Sequence, residues 1–278
     1  MSEISTQALN LETLLSQLPK RTSQTYKGDC GCVLIVGGHR GMAGAPMLAA
    51  KAAYRVGAGL VKVATHPEHV SMPTLYCPEV QTFAVSKAKQ LEELVAKATV
   101  IVVGPGLGQD SWSKELWRLV LSSQLPLVVD ADALRLLAQG IQVRDNWILT
   151  PHVGEAAGLL GTESVRVLAQ RETSVLAIQK RFHGVAVLKG HHTLLASSAS
   201  PVRYCPAGNA GMATAGMGDV LSGVIGGLLA QGMSLIAAAE LGVYLHAKAG
   251  DQVAKEKGER GLMASDLYPY LQASVNGK

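Results

Sequence analysis

Residues 32–64 read CVLIVGGHRGMAGAPMLAAKAAYRVGAGLVKVA and contain the pattern that decides the fold. An apolar run at 32–36 is followed by a glycine-rich turn, an alanine-rich helical pattern at 45–56 and a second apolar run at 60–64. Short apolar runs bounded by glycine indicate strands that are covered on both faces. The stretch is therefore predicted to be a strand–helix–strand unit of a parallel sheet.

The same alternation continues along the chain. Further strands are predicted at 100–103, 127–129, 147–149, 185–188 and 193–196. Helices are predicted at 9–18, 45–56, 87–97, 113–121, 133–138, 155–160, 164–181, 219–230, 235–255 and 265–274. No linker rich in proline or serine divides this pattern. We therefore predict an α/β fold with a single domain over residues 1–278, in which helices cover both faces of a mostly parallel sheet.

The composition narrows the class of protein. Of the 278 residues, 48% are hydrophobic and 17% are charged, which is typical of a well-packed globular chain. The net charge of +4 and the aromatic content of 4% do not favour nucleic acid as a partner. The amino-terminal segment lacks the pattern of a signal peptide, and no stretch of 18 apolar residues is present. We expect a cytoplasmic protein that does not interact with a membrane.

Chemically active side chains follow five of the predicted strands. In open α/β sheets, ligands bind beyond the carboxyl ends of the strands, so these turns should converge on one edge. The turn at 37–44 lacks the Gly-x-Gly-x-x-Gly spacing, and no acidic residue ends the following strand, which excludes a Rossmann NAD site. We predict a site for a large elongated ligand, although each turn taken alone also fits an ordinary tight connection. The five turns are 37–44, 104–108, 130–133, 150–155 and 189–193.

A second stretch, NAGMATAGMGDVLSGVIGGLLAQ at 209–231, predicts the chemistry. Glycines at 216 and 218 lead to Asp219 and then to an apolar helical pattern. Free N–H groups at a helix N-terminus bind anions, and glycine allows the backbone to approach a phosphate closely. A carboxylate beside a phosphate needs a reason, and a general base for phosphoryl transfer is one. The alternative is that Asp219 only caps the helix.

Three other turns contain candidate ligands, each with a structural alternative. His152 is expected to contact a ligand, and Glu155 fits either a capping box or a water-mediated contact with Mg²⁺. Lys189 and Thr193 fit a nucleotide phosphate or ribose, or a simple hairpin. Asp130 and Asp132 are expected to be structural rather than a metal pair. The remaining histidines show no metal-ligand spacing and are expected to be structural or on the surface: His39, His66, His69, His183 and His246.

In order along the chain, GDCGCVLIVGGHRGMAGAPMLAAKAAYRVGAGLV, GPGLG, VVDADAL, LTPHVGEAAGLLG, VLKGHHT and NAGMATAGMGDVLSGVIGGLLAQG resemble the ADP-dependent NAD(P)H-hydrate dehydratase family. The resemblance covers roughly residues 25–275. It implies a ribokinase-like, three-layer fold and a lyase of metabolite repair that restores NADH or NADPH from the S-epimer of the hydrate. ADP is the co-substrate, AMP and phosphate are released, and Mg²⁺ is implied as cofactor. Many relatives carry a fused epimerase domain, for which this chain has no room.

The resemblance also implies site residues. Asp219 matches the catalytic base, and Gly216, Met217 and Gly218 match the donors that hold the transferring phosphoryl group. Ala45, Gly108, His152 and Asp219 match contacts to the hydrated nicotinamide nucleotide. Lys189, Gly190, His191, His192, Thr193 and Gly218 match the adenine-nucleotide site, and Glu155 matches the glutamate of a Mg²⁺ network.

Two other functions fit the same residues. One is an ordinary kinase of a small alcohol, such as hydroxyethylthiazole or a vitamin, and the other is a regulatory nucleotide-binding module. The resemblance further implies a homo-oligomer, with a tetramer expected, for which the apolar residues 235–244 offer a surface. A separate epimerase protein is expected to act in the same pathway.

Overall fold

One ten-stranded sheet forms the centre of the computed structural model, which describes residues 4–140, 142–198 and 200–278. The strands are β1 (Thr6–Ala8), β2 (Cys32–Val36), β3 (Leu60–Thr65), β4 (Gln81–Ala84), β5 (Val100–Val103), β6 (Leu127–Val129), β7 (Trp147–Leu149), β8 (Val185–Leu188), β9 (Leu194–Ser197) and β10 (Ser200–Tyr204). Their order across the sheet is β1-β10-β9-β8-β7-β6-β5-β2-β3-β4. Strand β9 is antiparallel to both of its neighbours, and every other pair is parallel.

Helices cover both faces of this sheet. They are α1 (Leu11–Leu15), α2 (Gly44–Arg55), α3 (Met72–Tyr76), α4 (Ala88–Val95), α5 (Ser111–Ser122), α6 (Ala131–Ala138), α7 (Val153–Leu160), α8 (Ser164–Ala169), α9 (Arg171–Phe182), α10 (Met217–Ala230), α11 (Leu235–Lys257) and α12 (Tyr268–Val275). Alternate residues of β2 belong to two separate apolar cores: Val33 and Ile35 pack with α2, α10 and α11, whereas Leu34 and Val36 pack with α4 to α7. The period of two in a strand produces these two faces. The predicted three-layer α/β fold is confirmed.

Helix α10 brings the Gly-rich stretch to the carboxyl edge of the sheet. It contacts β2, β5 and β6, and its glycines make close packing possible. A Cβ atom at Gly223 would lie 2.0 Å from the carbonyl oxygen of Ala49, so α10 and α2 approach at backbone distance. Among the described residues, no helix is long and apolar enough to cross a membrane.

Two predictions from the sequence are wrong. The helix expected at 164–181 is divided into α8 and α9 at Gln170, whose φ of −137° and ψ of 54° are not helical. The apolar residues 235–244 do not form a free surface, because α11 buries Ala237 to Val243 in the core. The alanine-rich pattern of α11 therefore reflects packing within the chain.

Candidate active site

The N-terminus of α10 begins at a left-handed glycine. Gly216 has φ of 89° and precedes Met217, the first helical residue. Asp219 is thus the third residue of the helix, and Gly216 occupies the N-cap position that was the alternative role for Asp219. A side chain at Gly216 would be strained by this φ and would also meet Leu48 Cδ1 at 2.5 Å. The turn therefore directs the first N–H groups of α10 toward the edge of the sheet, where an anion can bind them.

A buried ion pair lies directly beside this turn. Lys189, at the end of β8, donates from Nζ to Asp130 Oδ1 at 2.7 Å, and Ser222 donates from Oγ to Asp130 Oδ2 at 2.6 Å. Burial alone would raise the pKa of Asp130, but the charge and hydrogen bond of Lys189 outweigh it and hold that pKa below its ordinary value. A Cβ atom at Gly218 would lie 3.1 Å from Lys189 Nζ. Glycine at this position therefore allows the ammonium group to approach the helix N-terminus.

Asp219 has the opposite electrostatic environment. Burial raises its pKa from 3.8 to about 7, and the negative charge of Asp130 adds to the effect while Lys189 opposes it. Asp132 and Glu155 raise the pKa further. A carboxylate with a pKa near neutrality can both accept and release a proton at physiological pH, which is the property of a general base.

The nucleotide loop predicted at 189–193 lines a cavity of about 630 Å³. The loop has a left-handed backbone at His192, with φ of 51°. The Arg171 side chain stabilises the loop by donating to the carbonyl groups of His191 and His192. The rings of these two histidines stack with centroids 4.0 Å apart. The cavity is lined by these sets of residues: His152, Val153, 189–193, 207–210, Met212, Ala213, Met217, Gly218, Leu221, Val243, His246 and Ala247. All five predicted loop residues and Gly218 therefore share one cavity.

The capping box that was one alternative for Glu155 is present. Glu155 Oε2 accepts from the backbone N–H of His152 at 2.8 Å, and His152 Nδ1 accepts from the N–H groups of Gly154 and Glu155. The imidazole of His152 remains about half exposed at the mouth of the cavity, with 53% of the side chain accessible. His152 therefore caps α7 and can still contact a ligand.

The carboxylates of the site fit Mg²⁺ only as part of a nucleotide complex. In the described part of the chain, no group of three or more His, Cys, Asp or Glu side chains is arranged to hold a metal ion. Asp130 is saturated by Lys189 and Ser222, and Glu155 Oε2 lies 3.8 Å from Lys189 Nζ. Because Mg²⁺ commonly binds through substrate phosphates, water and one or two carboxylates, Glu155 suits a water-mediated contact and not a direct cage.

The predicted contact residues Ala45 and Gly108 do not line this cavity. Ala45 is in the first turn of α2 and is partly exposed. Gly108 is buried, its N–H donates to Asp132 Oδ2 at 2.8 Å, and the His39 ring packs against it. Asp132 connects this segment electrostatically to Asp219. Of the two residues, only Ala45 offers accessible surface to a ligand.

Sequence reasoning missed the residues that support the site. No sequence pattern marks Ser222 or Arg171 as a site residue. Ser222 is a single serine within an apolar helix, and Arg171 lies inside a segment that was predicted to be one continuous helix. Asp251 holds the loop over the cavity by accepting from the N–H of Gly208 and from Asn209 Nδ2. His246 is buried next to Met217, and burial lowers its pKa to about 4, so its imidazole is neutral.

These features together define a ribokinase-like α/β protein with a cavity beside the predicted nucleotide loop, a helix N-terminus whose N–H groups suit an anion, and a candidate general base. A ribokinase-like protein from Enterococcus faecalis has the same fold, with a TM-score of 0.90 and 29% identity over 98% of this chain and 96% of that one.

The family model for NAD(P)H-hydrate dehydratase matches residues 33–273, and the chain belongs to that family. It is 49% identical to the bifunctional NAD(P)H-hydrate repair enzyme Nnr of Coxiella burnetii over 98% of this chain and 56% of the relative. It is 38% identical to the ADP-dependent (S)-NAD(P)H-hydrate dehydratase of Neisseria meningitidis, over 90% of this chain and 86% of the relative.

A solved structure of the ADP/ATP-dependent NAD(P)H-hydrate dehydratase of Bacillus subtilis, co-crystallised with ATP and Mg²⁺, has a TM-score of 0.86 and 26% identity, covering 96% of this chain and 97% of that one. The chain spans about half the length of the bifunctional relatives it matches.

Proposed function

We propose that this protein dehydrates the S-form of hydrated NADH and NADPH, with ADP as co-substrate and AMP and phosphate as products. The observation that carries the proposal is the position of Asp219, a carboxylate with a raised pKa in the first turn of an anion-binding helix. Membership of the NAD(P)H-hydrate dehydratase family supports the choice of substrate.

The first step is phosphoryl transfer to the hydroxyl group on C6 of the hydrated ring. Asp219 accepts the hydroxyl proton as the oxygen attacks the terminal phosphorus of ADP, and the bond to the AMP oxygen breaks. The N–H groups of Gly216, Met217 and Gly218 and the ammonium of Lys189 stabilise the negative charge on the transferring group. Mg²⁺ bound to the nucleotide phosphates would neutralise part of their charge, with Glu155 contacting it through water.

The second step is elimination. Hydroxide is a poor leaving group, whereas a phosphate ester leaves readily when the lone pair of the ring nitrogen is pushed toward C6. Loss of a proton from C5 then restores the double bond of the dihydronicotinamide ring. The protein contributes orientation here, since the same loop that held the phosphoryl group during transfer can hold the departing phosphate.

The nucleotide is assigned to the cavity lined by residues 189–193. Lys189, which lines this cavity, lies against Gly218, and this contact supports a position of the terminal phosphate beside the α10 N-terminus. The apolar side of the cavity, formed by Leu221 and Val243 among others, suits the base and ribose. ADP would therefore approach Asp219 through this cavity, and the hydrate would contact both Ala45 and His152, of which His152 lines the same cavity.

The experiment is recovery of the absorbance band of reduced nicotinamide when protein and ADP with Mg²⁺ are added to hydrated NADH. One AMP and one phosphate are expected for each NADH formed. A simple alcohol kinase would give a stable phosphorylated product and no free phosphate, and a regulatory module would give neither. If the absorbance recovers with neither the S-form of hydrated NADH nor the S-form of hydrated NADPH, the proposal is contradicted.

Two further expectations belong to this proposal. A homotetramer is expected from the family resemblance, and the sedimentation coefficient at micromolar concentration tests it. An epimerase that interconverts the two forms of the hydrate is expected to act alongside the protein, because several relatives are named bifunctional repair enzymes. Adding such an epimerase should raise the fraction of a mixed hydrate that is converted.

A further inference from the structure

Three aromatic side chains gather at the carboxyl edge of the sheet, outside the lining of the nucleotide cavity. His39 follows β2, His66 follows β3 and Trp112 lies in the first turn of α5. Their ring centroids are 5.5 Å apart for His39 and Trp112, 5.7 Å for His66 and Trp112, and 5.8 Å for His39 and His66. We call these three residues the His/Trp cluster.

The cluster lies where an apolar core meets solvent, because Trp112 packs against the core of α4 to α7 without being buried in it. All three side chains are partly exposed, whereas Trp117 and Trp147 are 6% and 0% exposed. The backbone gives the cluster a fixed shape: His39 N–H donates to Gly106 at 2.7 Å, and Trp112 Nε1 donates to the carbonyl of Val85 at 2.8 Å.

The position of the cluster relates it to the reaction site. Helix α10, which carries Asp219 in its first turn, contacts β6, β5 and β2, and the cluster follows β2 and β3 at the carboxyl edge of the same sheet. Strands β2 and β3 are two and three places from β6, which corresponds to roughly 10 to 15 Å at the usual strand spacing. A dinucleotide with its reduced ring at Asp219 carries a second nucleoside, and a surface at this distance along the sheet edge can receive it.

We propose that the His/Trp cluster binds the adenine base of the hydrated dinucleotide by stacking, an assignment that rests on the proposed function. Aromatic side chains recognise a nucleobase through its π-face. Burial lowers the pKa of His66, so this imidazole is neutral at pH 7 and presents a flat uncharged ring. Asp110 accepts from His39 Nε2 at 2.9 Å and thereby fixes the orientation of the His39 ring.

The test compares two substrates that differ only in the adenosine half. Hydrated NADH contains it, and hydrated reduced nicotinamide mononucleotide does not. Trp112→Ala is expected to raise KM for hydrated NADH by about 5- to 150-fold, the effect typical of losing one base–aromatic stack. KM for the truncated hydrate and kcat for both substrates should not change, because the reacting ring and Asp219 are untouched.

Two matched variants separate stacking from a structural role. Trp112→Phe keeps an aromatic face but loses the hydrogen bond to Val85, so it should retain most of the affinity for hydrated NADH. Tyr26→Ala removes an aromatic side chain that is 66% exposed and precedes β2 at the amino edge of the sheet, and it should change neither KM.

The outcomes distinguish this assignment from the proposed function. If wild-type protein converts both hydrates and Trp112→Ala raises KM for both by the same factor, the cluster is structural and only the assignment of the adenine site fails. The same holds if Trp112→Phe is as impaired as Trp112→Ala. If wild-type protein converts neither hydrate in the presence of ADP, the proposed function and the assignment fail together.

Discussion

Asp219→Asn is the substitution that best distinguishes a catalytic role of Asp219 from a purely structural one. The amide keeps the size of the carboxylate and its place in the first turn of α10, but it cannot accept a proton from the substrate. General-base assistance typically contributes about 10²- to 10⁴-fold, which is about 3 to 5 kcal/mol of transition-state stabilisation. Turnover of the hydrate is expected to fall by that factor, while affinity for ADP holds or improves because a negative charge has left the site.

The same substitution should stabilise the fold. The carboxyl group of Asp219 has a pKa of about 7 in the folded protein against 3.8 ordinarily, so the folded state binds this proton more tightly than the unfolded state. Stability therefore decreases as the pH rises from about 4 to about 7, by at most about 4 kcal/mol at 1.36 kcal/mol per pKa unit. Asp219→Asn removes this penalty, so its free energy of unfolding should exceed that of the wild type at pH 8 and match it near pH 4.

The assays are hydrate turnover across pH 5–9 and urea unfolding at pH 4 and pH 8. In wild-type protein, kcat/KM should fall about tenfold per unit as the pH drops below about 7, because the base becomes protonated. Asp145→Asn is the control, since this carboxylate is 92% exposed and far along the chain from α10. Near-normal turnover of Asp219→Asn, or a variant less stable than wild type at pH 8, would refute the reasoning.

Three other substitutions test the surroundings of Asp219. Gly218→Ala places a Cβ atom 3.1 Å from Lys189 Nζ, so the rise in melting temperature caused by ADP should shrink while the protein without ligand unfolds nearly as before. Lys189→Met leaves Asp130 buried and unpaired, which should cost about 3 to 5 kcal/mol in urea unfolding, and adding Asp130→Asn should recover part of it. His152→Ala removes the cap of α7 at a cost of about 1 kcal/mol and should weaken the hydrate, measured by its KM, more than ADP; equal weakening would make His152 structural.

The central strands were predictable because burial on both faces of the sheet requires apolar side chains at every position. Strands β2, β5, β6, β7 and β8 are covered on both faces, so each is an uninterrupted apolar run, and the predicted bounds agree with the structure. The missed strands β1 and β4 are the two edges of the sheet, and β10 lies next to an edge. Their polar residues are tolerated there, so neither alternation nor a continuous apolar run marks them.

The division between α8 and α9 shows a different limit. No glycine or proline interrupts residues 164–181, and local propensity favours one helix. In the structure, Gln170 leaves the helical region, and Arg171 at the start of α9 reaches the carbonyl groups of His191 and His192. The break thus coincides with a contact to residues 20 positions away in the chain. Sequence spacing alone does not contain that information.

For the site, strand ends indicated where the chemistry lies but not how the charges are paired. The sequence places Asp130, Lys189 and Asp219 at one edge, yet it does not say which carboxylate receives the ammonium group. In the structure, Asp130 accepts hydrogen bonds from both Lys189 and Ser222 and stays ionised. Asp219 accepts a hydrogen bond from neither residue and has a pKa of about 7. Neighbouring acids whose environments separate their pKa values in this way have divided roles. Asp130 holds the cation that faces the phosphoryl group, and burial, reinforced by the charge of Asp130, makes Asp219 basic enough to take the proton of the substrate hydroxyl.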